Sequence, residues 1–487
     1  MEVPLTLLRK RASNNWLIGQ DGSAFISLVE TLFEEFTKLG NNSVPQKILL
    51  VESDSIRFLA GFIAACSVGH QIFIGNPAWV ESEWQNVFNL VKPDLVWGNC
   101  GYVQYDNPAQ LGNQSPAGNQ TKGWIMIPTG GSSGKIRFAM HSWETLMASV
   151  QGFRQYFQLT EVNSICTLPL YHVSGLIQFM RSFTSGGRLL IVPFKELKSS
   201  QWCDFDPTEF FISLVPTQLQ RLLDDASLAV WLSQCKTVFI GGAPTWSELF
   251  EKARYHEVRL ALSYGMTETA SQIATLKPEI FLSGNNSSGQ ALPHAKVRIL
   301  SQTGELLGPN QTGIIAIQAA SLAFGYYPEL FPELENFQTD DLGFFDLQGN
   351  LNVVGRSSDK IITGGENVFP SEVESAIRAT NLVRDISVIG LPDQHWGQII
   401  TAVYIPCNPG ISSQQIKDAL EGKLSRFKQP KCWVPVEMLP SNNQGKVNRE
   451  QLYQIATKWR QEHLSRYKLT SYEEPCDVTT CPMVHTD

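Results

Sequence analysis

Apolar residues in the first half of the chain fall in short runs, separated by longer stretches in which they recur every three or four positions. The runs "KILLV" (47–51), "QIFIG" (71–75), "DLVWG" (94–98) and "WIMI" (124–127) have the length of buried strands. A helix is expected to open at Asp54 or Ser55. Its most apolar part, Phe58 to Val68, is rich in Gly, Ala and Ser and stops at His70. That run is too short to span a bilayer and suits a helix packed on a sheet. A second helix, capped by Ser142, would carry Leu146, Met147, Val150 and Phe153 on one side. Strands alternating with helices imply an α/β fold with a mostly parallel sheet. "KTVFIGG" (236–242) and "VRLALSYG" (258–265) each end a strand in glycine, and ligands of open α/β sheets gather at such ends. From about Gly304 the pattern turns to hairpins, as in "TGIIAIQAA" (312–320). After Arg356 it turns to a small α+β unit with a helix at 371–379 and a strand "DISVIG" (385–390). Residues 103–123 read as a surface connection, and 470–487 as a polar, disordered tail.

Composition narrows the function classes. With 487 residues, 43% hydrophobic and 17% charged, the chain can build more than one core. Its net charge of −8 argues against nucleic acid as a partner. Nine cysteines follow no metal or disulfide rhythm, which suits a reducing compartment. Arg9-Lys10-Arg11 is followed by polar Ser13-Asn14-Asn15, so no signal peptide is expected and the location is read as cytoplasmic. No integral membrane segment is expected either. Monomer and homodimer both remain open.

The chemistry lies in five short stretches. "IPTGGSSGKIRF" (127–138) has the glycines and hydroxyls of a phosphate cradle, whose backbone N–H groups can converge on an anion. It is not a Walker A loop: three residues, not four, separate Gly130 from Gly134-Lys135, and Ile136 stands where Ser or Thr would hold magnesium. "SYGMTET" (263–269) sets an aromatic, a hydroxyl and a carboxylate at a strand end. "QTDDLGFFD" (338–346) has paired acids. "GRSSDKIITGGENVFPSEVE" (355–374) has an arginine and a double glycine, and "NNQGKVNR" (442–449) a lysine in a turn. Singly, each has a plain reading: a core tyrosine, capping acids, a solvated lysine.

In this order the five stretches resemble the acyl-adenylate-forming superfamily of acyl-CoA synthetases, luciferases and adenylation domains, over roughly residues 45–455. The resemblance implies a large N-terminal domain, 1–357, of stacked mixed and parallel sheets with helices plus a β-rich subdomain. A small mobile α+β domain, 358–469, would follow. It also implies ATP, Mg2+ and coenzyme A, with a carboxylate attacking the α-phosphate to give an acyl-adenylate and pyrophosphate. Thr129, Gly130, Gly131, Ser132, Ser133, Gly134, Lys135 and Arg137 would hold the β- and γ-phosphates. Ile136 and Arg137 replace the family's usual Pro and Lys; a cation is kept, although Arg and Lys are not equivalent donors. Glu268 would help bind Mg2+ and Thr267 would touch the α-phosphate. Tyr264, with Gly265 and Met266, would face adenine, opposite Gly241, Gly242 and Ala243. Asp341 would accept from the ribose hydroxyls beside Arg356, and Lys446 would bridge charge at the α-phosphate. Ser358 would be the hinge of a swing that brings Gly364 and Gly365 to a narrow pantetheine tunnel, with Arg426 and Lys428 on coenzyme A phosphates.

"LPLYHVSGLIQFMRSF" (168–183) lies where this superfamily places its acyl pocket, with His172, Ser174 and Gly175 at its start. His172 would line the path to the thiol tunnel, or be structural. Arg181 stands among apolar residues and needs an anionic partner, either an internal acid or a ligand. With "SLVPTQLQRLL" (213–223), which carries Thr217, the stretch is most similar to the o-succinylbenzoate–CoA ligases of menaquinone and phylloquinone biosynthesis. That resemblance implies a dicarboxylate substrate, with Arg181 on the carboxylate that is not activated and Gly242 also lining the acyl pocket. The alternatives are a ligase for another carboxylic acid, a P-loop kinase, and a non-catalytic nucleotide-binding protein.

Overall fold

The computed structural model describes residues 3–12, 14–39, 45–98, 123–130, 136–197, 205–421, 423–441 and 447–467. The loop residues Gly131, Ser132, Ser133, Gly134 and Lys135, the lysine Lys446, nearly all of the 103–123 connection and the tail 470–487 lie outside them.

The first sheet is built from the predicted runs. Strands Leu95–Trp97, Lys47–Leu50, Gln71–Ile74 and Trp124–Gly130 lie side by side and parallel. Ile136–Ser142 then returns antiparallel to Trp124–Gly130, with Gly130 opposite Ile136, and the short strands Gly325–Tyr326 and Glu329–Leu330 complete that edge. The strands that flank the glycine-rich loop in the chain are therefore antiparallel neighbours in one sheet. A P-loop leads from a strand into a helix, so the kinase alternative lacks its defining geometry.

The second sheet runs Leu189–Ile191, Asn163–Cys166, Phe210–Leu214, Thr237–Ile240 and Leu260–Met266 in parallel, then Ser271–Thr275 and Gln290–Ala291 antiparallel. Helices Trp143–Phe157 and Val173–Ser185 lie between the two sheets. Leu146 and Val150 share a core with Ile125 and Ile127 of the first sheet, while Phe153 packs on Phe211 and Phe239 of the second. The caps act as the sequence predicts. The Ser142 hydroxyl accepts from the Thr145 N–H, and Asp54 caps Ser55–Val68 by accepting from Ile56 and Arg57.

Ala295–Leu300, Gly313–Ala319, Phe337–Phe345 and Leu351–Arg356 form a four-stranded antiparallel sheet. From Ile361 onward the strands Ile361–Thr363, Glu366–Val368, Val383–Asp393, Gly397–Pro406 and Cys432–Pro435 make a fourth sheet. Its two hydrophobic clusters draw only on residues from 361 to 459. No helix of the described residues is long and apolar enough to cross a membrane.

Candidate active site

Two strand ends of the second sheet form the base of the site. Leu262 pairs with Ile240, so Gly241-Gly242-Ala243 leaves one strand beside Tyr264-Gly265-Met266 at the end of the next. Gly242 and Ala243 are exposed, as a ligand wall requires. Tyr264 is buried, and its hydroxyl donates to Asp341 Oδ2 at 2.8 Å while Arg356 Nε donates to Asp341 Oδ1 at 3.3 Å. Burial first, then the Asp341 charge, pushes the Tyr264 phenol well above its usual pKa, so it stays a donor. Three residues that the sequence treats separately are thus one hydrogen-bonded unit, with Asp341 fixed at its centre.

Glu268, only 6% exposed, sits in a single turn of 3-10 helix, Thr267–Thr269, directly after the Tyr264 strand. Its Oε1 accepts from the Tyr326 hydroxyl at 2.6 Å and from the Thr129 hydroxyl at 3.5 Å. The Arg137 guanidinium lies over the Tyr326 ring, 4.0 Å from its centre. Tyr326 therefore joins the glycine-rich hairpin to the carboxylate. The sequence reading missed it, because "GYYPE" carries no periodicity and the contact spans 58 residues. His141 was missed as well. Its Nε2 lies 2.8 Å from the Thr267 carbonyl and its Nδ1 3.0 Å from the Thr145 hydroxyl. Burial lowers its pKa to about 4, against the opposing effect of the Thr267 bond, so it is neutral near pH 7 and Nε2–H donates to the carbonyl. A buried carboxylate beside a hydroxyl is a hard oxygen donor set of the kind Mg2+ takes, the rest of its shell being water and phosphate.

The stretch expected to line an acyl pocket forms helix Val173–Ser185. His172 is its N-cap residue, half-buried, with its ring 4.6 Å from that of Tyr171. Ser174 and Gly175 form the first turn, and Thr217 lies half-buried in the first turn of Pro216–Leu223. Arg181, two turns deeper, is 3% exposed. One of its N–H groups donates to Gln272 Oε1 at 3.3 Å, and its guanidinium lies 3.9 Å from the centre of the Phe153 ring. Among the described residues no Asp or Glu pairs with it. Burial lowers its pKa to about 9, which still leaves it charged near neutrality. Of the two partners open to it, the internal acid is not found among the described residues.

Ser358 is tied to Asp340, which accepts its backbone N–H at 3.2 Å and its hydroxyl. Gly364 and Gly365 form the two-residue turn between Ile361–Thr363 and Glu366–Val368, at φ 57° and 85°. Such a turn needs positive φ at both positions, and a side chain at Gly364 would meet the Trp396 ring 2.9 Å away. Glycine is therefore required locally, whatever passes the loop. Lys428 pairs with Glu372, and Arg426 is exposed in a short 3-10 helix.

The model of the AMP-binding enzyme family matches residues 42–327, and that of the AMP-binding enzyme C-terminal domain matches 372–446. A 2-succinylbenzoate–CoA ligase of Listeria innocua is 35% identical over 328 residues, 66% of this chain and 68% of that protein. The ligase of the same name from a Geobacillus strain is 26% identical over 461 residues, 90% of this chain and 93% of its own. Among solved structures, Bacillus subtilis o-succinylbenzoate CoA synthetase (MenE) with its acyl-adenylate intermediate superposes with a TM-score of 0.78 at 23% identity, covering 92% of this chain and 97% of that one. ATP-bound MatB of Rhodopseudomonas palustris gives 0.77 at 22% identity, covering 93% and 98%. The two structures share this fold.

Proposed function

This chain belongs to the family of AMP-binding enzymes, and on that premise we propose that it ligates 2-succinylbenzoate to coenzyme A through an acyl-adenylate, for menaquinone or phylloquinone synthesis. The observation that carries the choice of a dicarboxylate is Arg181, a buried guanidinium at the acyl end with no acidic partner among the described residues. The relatives named 2-succinylbenzoate–CoA ligase support the same acid.

In the first step a succinyl carboxylate oxygen attacks the α-phosphorus of ATP, and the bond to pyrophosphate breaks. Two anions must meet, so cations and fixed dipoles have to offset their repulsion. Residues from Thr129 to Arg137 and Lys446 supply them, and Glu268 would hold Mg2+, which would supply further neutralisation of phosphate charge. Adenine lies between Gly241-Gly242-Ala243 and Tyr264, and the ribose hydroxyls donate to Asp341. In the second step the coenzyme A thiolate attacks the acyl carbonyl and AMP leaves. Residues 358–469 are the small domain that turns about Ser358 between the steps, giving up the Asp340 contacts that now hold that residue. Its partners are small molecules, and its location is the cytoplasm. Incubation with ATP, Mg2+, coenzyme A and 2-succinylbenzoate, followed by mass spectrometry, is expected to give AMP, pyrophosphate and the thioester in equal amounts. ADP, or no nucleotide turnover, would contradict the reading.

Tyr326 tests the metal end. Tyr326→Phe keeps the ring under Arg137 and deletes the bond to Glu268. A buried carboxylate that loses its donor is no longer held in place, and its displacement disfavours a bound cation. A hydrogen bond to a charged group contributes about 1.5–3 kcal/mol, so the Mg2+ concentration for half-maximal adenylation is expected to rise about tenfold or more. An unchanged Mg2+ titration would show that Tyr326 only fills space.

A further inference from the structure

The turn that carries Thr267 and Glu268 is bent against the preference of its own residues. Ala270 and Ser271, which close it, have φ of 50° and 86°. Residues with a side chain seldom adopt such angles, and keep them only where the surroundings impose them. Here the surroundings are donors aimed at the backbone. Four successive carbonyls are each held from another element. The His141 Nε2–H donates to Thr267 at 2.8 Å, the Ala323 N–H to Glu268 at 2.7 Å, the Ser321 hydroxyl to Thr269 at 2.8 Å and the Ser149 hydroxyl to Ala270 at 2.8 Å. His141, Ser149 and Ser321 are fully buried.

Ser149 shows that the donors are directed at the turn. A hydroxyl inside a helix has the carbonyl four residues earlier within reach, and Thr31, Ser67 and Thr184 use it. Ser149, inside helix Trp143–Phe157, reaches instead to a carbonyl 121 residues away. One turn earlier in that helix the Thr145 hydroxyl meets His141 Nδ1 at 3.0 Å, which fixes the ring with Nε2 towards Thr267. All four ties end on the main chain. The Glu268 carboxylate is left to Tyr326, Thr129 and a cation.

Resting on the ATP and Mg2+ part of the proposed function, we propose that His141, Ser149 and Ser321 are positioning residues that hold the 267–270 turn in its strained shape, and so set Thr267 and Glu268 in place before Mg2+ and ATP arrive. None of the three touches either ligand in this scheme. A site whose groups are already oriented does not have to order them on binding. Without the clamp the turn relaxes towards ordinary backbone angles, and part of the binding free energy goes into bending it back.

Binding of ATP as a function of free Mg2+, followed by calorimetry, is the test, since it needs neither the acid nor turnover. His141→Phe keeps a ring and removes the donor. The free Mg2+ concentration for half-maximal ATP binding is expected to rise about tenfold, as for one buried carbonyl left without its donor. His141→Gln, whose amide NH2 can stand where Nε2 stood, is expected to restore that midpoint to within about threefold of the parent. Ser149→Ala and Ser321→Ala are each expected to raise it about threefold or more; they carry the test if His141→Phe does not fold. Thermal melting of each variant is recorded beside the midpoint. A lower melting temperature with an unmoved midpoint would make the three residues packing groups and overturn the clamp, and so would a Gln variant no better than the Phe variant; the proposed activity would stand. A parent that binds no ATP with Mg2+ would overturn both. A parent that binds it without adenylating 2-succinylbenzoate would overturn the choice of acid alone, and the midpoints would still decide the clamp.

Discussion

Lys446→Ala is expected to slow formation of the acyl-adenylate from ATP by about 100-fold or more, the usual cost of removing one preorganised charge-stabilising group from a transition state. The reason is local to the step. Negative charge builds on the α-phosphate as the carboxylate attacks, and a lysine bridging that charge acts only while the adenylate forms. Pre-made acyl-adenylate has already passed that point, so its transfer to coenzyme A is expected to proceed at nearly the parent rate. The measurement is single-turnover kinetics of each half-reaction. Equal loss in both would contradict the role read from "NNQGKVNR" (442–449).

Arg181→Ala is expected to lower kcat/KM for 2-succinylbenzoate by about 30-fold or more. Truncating one partner of a buried, hydrogen-bonded charge pair costs about 2–5 kcal/mol, partly because the other charge is left unpaired, and every 1.4 kcal/mol is about tenfold. Arg181→Lys is not expected to restore the rate, since an ammonium cannot reproduce a bidentate guanidinium–carboxylate pair. Benzoylpropionate, the same keto acid without the ring carboxylate, never meets Arg181 and is expected to react poorly with the parent and to lose little more in the variant. The KM for ATP is expected to hold, because Tyr264, Asp341 and Glu268 make their contacts without Arg181. Equal loss on both acids would make Arg181 a packing residue that uses Gln272 and Phe153 as its partners.

The architecture was legible where apolar runs and caps agree. The runs at 47–51, 71–75 and 94–98 became Lys47–Leu50, Gln71–Ile74 and Leu95–Trp97, and Ser142 and Asp54 cap the helices expected of them. The strand Ile136–Ser142 was not read as one. Phe138, Ala139 and Met140 make too short an apolar run to stand out, and its partner in the sheet lies across a glycine-rich loop. Of the candidate site, the motifs pointed to Glu268, Asp341, Tyr264 and Arg181, because each carries a charge or ring that the expected chemistry needs. Tyr326, His141 and Gln272 were invisible for a physical reason. Each meets residues far away in the chain, at positions where its neighbours give no periodic or turn signal.

The central claim is that this site activates a dicarboxylate as its adenylate and selects it through a buried arginine. Exchange of labelled pyrophosphate into ATP, measured across 2-succinylbenzoate, benzoylpropionate, benzoate and a fatty acid, tests it most directly. Reversal of the first step alone gives the signal, so coenzyme A and the domain swing do not enter. Exchange that depends on added acid and is at least about tenfold faster with 2-succinylbenzoate than with each monocarboxylate is the predicted result. Exchange as fast with a monocarboxylate, or none with any acid, would contradict the account.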